Sequence, residues 1–209
     1  ETIDKISNEL TPMVATARLI KQEHPDASVV FIGPCASKKL EASRRTVRSD
    51  VDFVITFEEL TGMFEAKGIL LDEIKAMDEM KDATAAGRGY GVAGGVANAI
   101  KECIEKYYPG TSVNIQHAES LAECKKALLL AKAGKMNGCL IEGMACPGGC
   151  IAGAGTNIAI PVAAKAVDKF KNEAEKKVPD GKRINTGQKF CRERESSQKR
   201  DGSFLLYVN

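Results

Sequence analysis

Three cysteines and the glycines around them are the residues of this sequence best suited to chemistry. The segment EGMACPGGCIAGAG (142–155) places Cys146 and Cys150 four positions apart among five glycines. A second segment, GPCASKKLEA (33–42), adds Cys35, followed by Lys38 and Lys39. Thiolates bind metals, and glycine lets the main chain approach a neighbouring object closely. The two segments therefore predict a backbone that wraps around a group bound by thiolates.

The type of group follows in part from the spacing of the thiols. All three cysteines lie shortly after predicted strands, where α/β sheets gather their ligand sites. Cys-x-x-x-Cys differs from the Cys-x-x-Cys pairs of zinc knuckles, and glycine-flanked thiolates suit a bulky iron–sulfur cubane. Two alternatives stay open on these residues alone. One is a redox nucleophile at Cys35, favoured by a helix dipole and two lysines; the other is a zinc site of Cys35, Cys139, Cys146 and Cys150.

Alternating strands and helices must position these segments. Short apolar runs predict buried strands, and longer segments between them predict helices. The strand segments are ASVVFIGPC (27–35), VDFVIT (51–56), SVNIQHA (112–118) and GCLIEGM (138–144). The helix segments are 11–24, with Thr11 as N-cap and Pro12 at the first position, then 57–68, 94–108, 119–134 and 161–177. This order predicts an α/β fold with a largely parallel or mixed sheet flanked by helices. A domain of residues 1–177 is then followed by a polar tail, 178–209, with SFLLYV as a candidate last strand.

A glycine motif in the middle of the chain needs a separate interpretation. GYGVAG (89–94) matches the dinucleotide pattern G-x-G-x-x-G, but the polar residues before it do not predict a strand. Gln116 and His117 stand near the position where an acidic residue should hold a ribose. The motif therefore predicts close backbone packing at a helix start and no nucleotide site.

Composition restricts the class of protein. The 209 residues carry 30 basic and 28 acidic side chains, a net charge of +2 that indicates no preference for nucleic acid or membrane. Apolar runs fall short of the roughly 18 residues that span a bilayer. Seven cysteines, an odd number, indicate a reduced, cytoplasmic setting. Cys103, Cys124 and Cys139 are predicted to pack in the core, and Cys191 to be incidental. The absence of an initiator methionine suggests a piece of a longer protein.

The two cysteine segments resemble the second and third signature segments of the iron-only (FeFe) hydrogenases, in the C-terminal domain of their large subunit. Between them, GYGVAGGVANAI (89–100) is similar to that family's glycine-rich helix start. Order and spacing also fit, so the resemblance covers residues 6 to about 155. Gly33 stands where the well-studied enzymes have methionine. GAGTN (153–157) stands where those enzymes have a glycine-rich ending that contains Gln-Pro. Both departures resemble a less-studied branch, often fused to ferredoxin or sensory modules.

The resemblance implies an FeFe-hydrogenase-like lobe that binds a particular cofactor. This cofactor is a 4Fe–4S cubane joined through one cysteine to a two-iron centre that carries CO, cyanide and a bridging dithiolate. Cys35 and Cys146 match cubane ligands, and Cys150 matches the bridging cysteine. Lys38 matches a lysine that holds a cyanide ligand, a role in keeping with the need of a buried anion for a cation. The remaining matches, in the shell of the two-iron centre and the proton route, are Met144, Tyr90 and Ser7.

The implied reaction is the reversible two-electron reduction of protons to hydrogen. Electrons would come from a carrier such as a ferredoxin or a fused iron–sulfur domain. The family's first segment, with the fourth cubane cysteine, would lie before residue 1, so the fragment alone is expected to be inactive. The alternative is a non-catalytic iron–sulfur cluster-binding or hydrogen-sensing module. Lys38 and Met144 favour a two-iron pocket over this alternative, because a plain cubane scaffold needs neither.

Overall fold

The structure, a computed structural model, describes residues 5–44, 49–75, 83–180 and 205–208. The chain forms two compact units. Unit 1 comprises Glu1–Glu9, Ala83–Gly149 and Ala164–Asn209, and unit 2 comprises Leu10–Asp82 and Cys150–Ala163. Cys191 and most of the predicted tail lie outside the described residues, so the domain boundary after residue 177 stays a prediction.

A parallel three-stranded sheet organises unit 1. The elements of this unit are α4 (Ala85–Arg88), α5 (Gly95–Tyr107), β3 (Asn114–Glu119), α6 (Leu121–Lys132), β4 (Cys139–Met144) and β5 (Leu205–Val208). The strand order of the sheet is β3-β4-β5, with β4 in the centre. Helix α7 (Ile160–Asn172) begins in unit 2 and continues in unit 1. The strand in SFLLYV is therefore present, and the α/β class predicted from the sequence is confirmed.

The central strand β4 explains why its sequence is an almost continuous apolar run. All six of its residues are buried, because strands pair with it on both edges and helices cover both faces. Ile141 is fully buried in a core cluster with Ala127 and Ala131 of α6. Neighbouring side chains on a strand point to opposite faces, so Glu142 points to the other face, where it contacts the start of α5. The strand therefore has a helix on each side.

Helix α1 (Pro12–Glu23) covers a smaller sheet in unit 2. Strands β1 (Val30–Ile32) and β2 (Phe53–Ile55) pair in parallel, and α2 (Ser37–Ser43) and α3 (Phe57–Ala66) follow them in turn. The core consists of residues from α1 and the loop before β2, with partly buried residues in or next to the strands packed against them: Met13, Val14, Ala17 and Val51, then Val29, Phe31 and Val54. The sequence predicted both strands and the helices α1 and α3, but not that the strands of the chain would divide into separate sheets.

Burial of β1 and β2 differs from the sequence prediction. Both were expected to be buried strands, yet Val30 and Ile32 are each 44% exposed and Phe53 is 62% exposed. The cause is the size of the sheet, because two strands with α1 on one face leave the alternate side chains uncovered. An apolar run in the sequence shows that a strand forms here, and does not show how many neighbours it has.

Helix ends follow the local sequence signals. Thr56 and Glu59 form a complete capping box at the start of α3, and Gly68, at a φ of 66°, follows its end. Thr11 precedes Pro12 as predicted, but its hydroxyl donates to the Glu41 carboxylate and does not cap α1. In the part of the chain that the structure describes, no helix has the length and hydropathy needed to cross a membrane.

Candidate metal centre

Cys146 lies in a tight turn that begins as β4 ends. Its carbonyl accepts a hydrogen bond of 2.9 Å from the Gly149 N–H. Gly148 and Gly149 have φ values of 94° and 89°, in the left-handed region that glycine adopts without strain. The Cys146 side chain is half-buried and forms no disulfide. The glycines therefore make a turn that leaves this thiol accessible directly after the fully buried strand β4.

The same turn packs against the glycine-rich segment 89–95. The Ala93 N–H donates to the Gly148 carbonyl at 3.1 Å, and a Cβ added at Gly149 would lie 2.4 Å from the Ala93 nitrogen. Within that segment, a Cβ at Gly95 would lie 2.0 Å from the Gly89 oxygen. The glycines of GYGVAG thus serve close backbone packing at the start of α5, as the sequence predicted. They also bring the Tyr90 and Cys146 segments into contact.

Glu142 is a functional candidate that sequence reasoning missed. Its side chain is 2% exposed. One carboxylate oxygen, Oε1, accepts hydrogen bonds from the Val96 and Ala97 N–H groups at 3.0 and 3.3 Å. The other, Oε2, lies 3.2 Å from His117 Nδ1. The available signal was a single acidic residue inside the apolar run GCLIEGM, because a buried charge requires dedicated partners.

Two residues of unit 1 that the resemblance places beside the two-iron centre have little exposure to solvent. Met144, the last residue of β4, is 2% exposed. Tyr90 is half-buried, and its burial raises the pKa of its hydroxyl, with a smaller contribution from nearby Cys103. Burial also raises the pKa of the Cys103 thiol. Cys103 is therefore a weaker nucleophile than an exposed cysteine.

Cys35 and Cys150 both belong to unit 2. Cys35 follows β1, and its carbonyl accepts a hydrogen bond from the Lys38 N–H at 3.2 Å. Cys150 begins a short 3-10 helix, Cys150–Ala152, and its carbonyl accepts from the Gly153 N–H at 2.9 Å. Both side chains are half-buried, and neither forms a disulfide. Each thiol therefore lies on a hydrogen-bonded turn that follows a strand or a glycine pair.

Backbone contacts join the segments of these two cysteines. The Gly155 N–H donates to the Pro34 carbonyl at 2.9 Å, next to Cys35 in the chain. A Cβ at Gly153 would lie 2.4 Å from the same Pro34 oxygen, and one at Gly155 would lie 2.4 Å from the Thr56 Cβ. Only glycine permits this approach. The structure thus brings the GPC and CIAGAG segments together inside unit 2.

Lys38 and Lys39, neighbours at the start of α2, have different environments. Lys38 is 8% exposed. Its ammonium lies 2.6 Å from Glu41 Oε2, one turn along α2. Lys39 remains exposed and pairs with Glu59. Because α2 turns its first lysine inward, Lys38 is a buried cation held by a carboxylate, and Lys39 is the solvated one.

The remaining predicted residues have separate positions. Ser7 lies in unit 1, where its hydroxyl accepts a hydrogen bond of 3.2 Å from the Glu9 N–H. Cys139 is buried in the core at the first position of β4. A strand rises about 3.3 Å per residue, so Cys139 lies about 16 Å from Met144, at the opposite end of the strand from the cysteine turn. This removes Cys139 from the zinc set considered above.

The donor chemistry of the site fits an iron–sulfur group. Half-buried thiols on turns with close glycine backbone are suited to iron ligation, and N–H groups of such turns can donate to cluster sulfides. Lys38 supplies a buried cation in the same unit as Cys35 and Cys150. Within the described ranges, no three His, Cys, Asp or Glu side chains form a group that could hold a metal ion.

Comparisons with known proteins give the family. The model of the iron-only hydrogenase large subunit, C-terminal domain, matches residues 1–154. The cytosolic Fe–S cluster assembly factor NAR1 of Kluyveromyces lactis is 40% identical over 63 residues. That match covers 30% of this chain, and the chain spans 13% of the length of the NAR1 protein.

Solved structures of FeFe-hydrogenases have the same fold. One is the structure of an FeFe-hydrogenase whose oxygen inactivation begins at the 2Fe subcluster of its H cluster. It has a TM-score of 0.63 at 19% sequence identity, and the match covers 96% of this chain and 68% of the hydrogenase chain. A variant of HydA1 from Chlamydomonas reinhardtii has a TM-score of 0.58 at 19% identity, with 89% and 64% covered. At this identity the likeness is one of fold. With three quarters of its length matched by the family model, the chain belongs to the family of the iron-only hydrogenase large subunit, C-terminal domain.

Proposed function

We propose that this chain is the cluster-binding part of an FeFe-hydrogenase large subunit. The full-length parent protein would catalyse the reversible reduction of protons to hydrogen. The observation that carries the proposal is the close glycine backbone packing of the turns that hold Cys35, Cys146 and Cys150. Each lies on a turn held by glycine backbone contacts, in a region that the family model matches. Glycine raises the entropic cost of folding, so its use at these contacts indicates a requirement for close approach of the cysteine turns to neighbouring backbone.

The three thiols would hold a 4Fe–4S cubane, with Cys150 also bound to a two-iron centre. When bound, these groups supply the electron storage and the metal chemistry of hydrogen formation. The chain would supply the thiolates, and it would exclude water with Met144, which is 2% exposed, and half-buried Tyr90. Low exposure strengthens every electrostatic interaction near a charged cofactor.

Lys38 would be the cation of this pocket. An ammonium group has three N–H donors, and the bond to Glu41 uses one of them. The Lys38 ammonium can therefore stay paired with Glu41 and still donate to an anionic ligand such as cyanide. Glu41 would fix the direction of the side chain, because its carboxylate is itself held by the Thr11 hydroxyl.

Proton and electron delivery would involve further groups. Ser7 accepts from the Glu9 N–H and keeps its own O–H for donation, as a member of a proton route requires. Electrons would come from a carrier such as a ferredoxin or a fused iron–sulfur domain. The net charge of +2 gives no reason to expect nucleic acid as a partner.

Anaerobic reconstitution with iron and sulfide tests the ligand assignment. Wild-type chain should take up iron and acid-labile sulfide in equal amounts and absorb broadly at the blue end of the visible spectrum. Serine at Cys35, Cys146 or Cys150 should reduce uptake. The control is Cys103→Ser, at a thiol on α5 whose pKa is raised by burial. Stoichiometric zinc without labile sulfide would contradict the proposal, as would an equal loss in the control.

A second experiment tests the two-iron centre. In the full-length parent, Lys38→Ala should preserve the electron paramagnetic resonance signal of the cubane and impair binding or turnover of the two-iron centre. Lys39→Ala is the matched control, because Lys39 is the exposed neighbour on the same helix. An effect of Lys39→Ala without one of Lys38→Ala would show that the assignment is wrong.

The second candidate function is non-catalytic iron–sulfur binding, either in cluster assembly or in hydrogen sensing. The 63-residue match to the cluster assembly factor NAR1 favours this candidate. It predicts that the cubane assembles and that Lys38→Ala has no effect on any measured property of the cluster. Hydrogen production from a reduced viologen by the matured parent protein distinguishes the two functions.

A further inference from the structure

The start of α5 lacks the capping side chain that a helix normally has. The first N–H groups of a helix have no partner within it, and a Ser, Thr, Asp or Asn at the N-cap usually supplies one. Here the N-cap is Gly94, at a φ of 82°, and Gly95 follows. A Cβ at Gly95 would meet the Gly89 oxygen at 2.0 Å, so close packing of this segment excludes a side chain.

Glu142 supplies the missing cap from the neighbouring strand. Its Oε1 accepts from the Val96 and Ala97 N–H groups, at the second and third positions of α5. A carboxylate also interacts favourably with the partial positive charge of a helix N-terminus. Close packing of residues 89–95 leaves no space for a capping side chain at the start of α5, so the cap comes from Glu142 on β4.

Two attachments to residues 93–97 enclose Cys146. Glu142, four residues before Cys146, holds Val96 and Ala97. The Gly148 carbonyl, two residues after it, accepts from the Ala93 N–H. The turn that carries the thiol is therefore fixed at both ends to the same short segment, once by a side chain and once by backbone.

We propose that Glu142 is a positioning residue for Cys146, because its carboxylate ties the start of α5 to β4 and thereby holds the cysteine turn in a single conformation. This inference rests on the proposed function, since only there does the Cys146 thiol act as a ligand. A plain helix cap would stabilise α5 alone; a positioning residue also controls the order of the turn at 146–149.

The test measures amide hydrogen exchange by NMR in the metal-free chain. The Gly149 N–H reports the turn directly, because it donates to the Cys146 carbonyl. The Gly155 N–H, which donates to Pro34 in unit 2, is the reference amide. Glu142→Gln keeps an acceptor oxygen of the same reach, and Glu142→Leu keeps the size without an acceptor. Glu105→Leu, at an exposed carboxylate of α5, is the control variant.

We expect Glu142→Leu to accelerate exchange at Gly149 about tenfold or more relative to Gly155, a factor equal to about 1.4 kcal/mol. Glu142→Gln should rescue exchange to within about threefold of wild type, and Glu105→Leu should match wild type. If Glu142→Leu does not fold, Glu142→Asp replaces it, because its shorter carboxylate keeps the charge and loses the reach. Equal acceleration at Gly149 and Gly155 would overturn the proposal, as would no change at Gly149.

Iron uptake by the same variants separates this inference from the proposed function. Wild-type chain that takes up no iron and sulfide would contradict the proposed function and leave the exchange result intact. If the wild-type chain takes up iron, and Glu142→Leu equals it both in iron content and in exchange at Gly149, only the proposed role of Glu142 is overturned.

Discussion

Gly155→Ala should destabilise unit 2, because the position has no space for a methyl group. The added Cβ would lie 2.4 Å from the Thr56 Cβ and 2.7 Å from its Cγ2. Thr56 cannot move away easily, since it is 6% exposed and both its hydroxyl and its N–H belong to the capping box of α3. The Gly155 backbone is equally fixed, by bonds to Pro34 and Glu58. Relief of the clash therefore requires that one of these hydrogen bonds breaks.

The magnitude follows from the cost of overpacking. Inserting a methyl group into a packed site costs about 1–3 kcal/mol. For a chain of this size, that corresponds to a melting temperature about 2–12 °C lower. Gly62→Ala is the matched control, because Gly62 lies inside α3 with no atom within 4 Å of an added Cβ. The same substitution there should stabilise by about 0.5–1 kcal/mol, the usual preference of a helix interior for alanine.

Thermal unfolding monitored by circular dichroism measures both variants. Alkylation of Cys35 and Cys150 by iodoacetamide should also become faster in Gly155→Ala, because the substitution separates the segments that carry these thiols. A Gly155→Ala chain as stable as wild type, or one that shifts in the same direction as Gly62→Ala, would refute the close packing on which this reasoning depends.

Three further predictions concern charge and metal. Hydrogen bonds from the Val29 N–H and from Lys21 hold the pKa of Asp52 below its ordinary value of 3.8, so the carboxylate stabilises the fold above that pH and the contribution is lost as pH falls further. Asp52→Asn should therefore flatten the acid dependence of the melting temperature, and an unchanged slope would contradict this. Glu41→Gln should lower the free energy of unfolding in urea by about 1–3 kcal/mol, because buried Lys38 loses its charged acceptor; an unchanged midpoint would mean that the pair contributes nothing. Neither core cluster contains a proposed ligand thiol, so chain purified in air without iron should keep a folded circular-dichroism spectrum, and an unfolded one would show that metal holds the fold together.

Local sequence signals were sufficient for the elements of the fold. Pro12 and Gly68 mark helix ends correctly, and the run GCLIEGM becomes the fully buried strand β4. These features depend on neighbours in the chain, which the sequence shows directly. Exposure of Val30 and Phe53 could not be predicted, because it depends on how many strands join each sheet.

The site was predictable in its residue types and less so in its contacts. The glycines around Cys146 and Cys150 indicated close backbone approach, and the structure has it. The partners of the buried Glu142 carboxylate lie far away in sequence, so they were not predictable. Glu142 binds N–H groups 45 and 46 positions away, and the inward rotation of Lys38 depends on the register of α2.

The route of the chain through unit 2 has a consequence for its synthesis on the ribosome. Residues 150–163 complete a unit that begins at Leu10, and Asn157 bonds to Phe57, 100 positions earlier. At roughly 5–20 residues per second, a ribosome needs about 5–20 s to make that interval. During this time the nascent chain carries Cys35 without the segment that later packs beside it. Cotranslational folding of unit 2 therefore cannot finish until residues 150–163 have emerged, and the Cys35 segment lacks its packing partner throughout that delay.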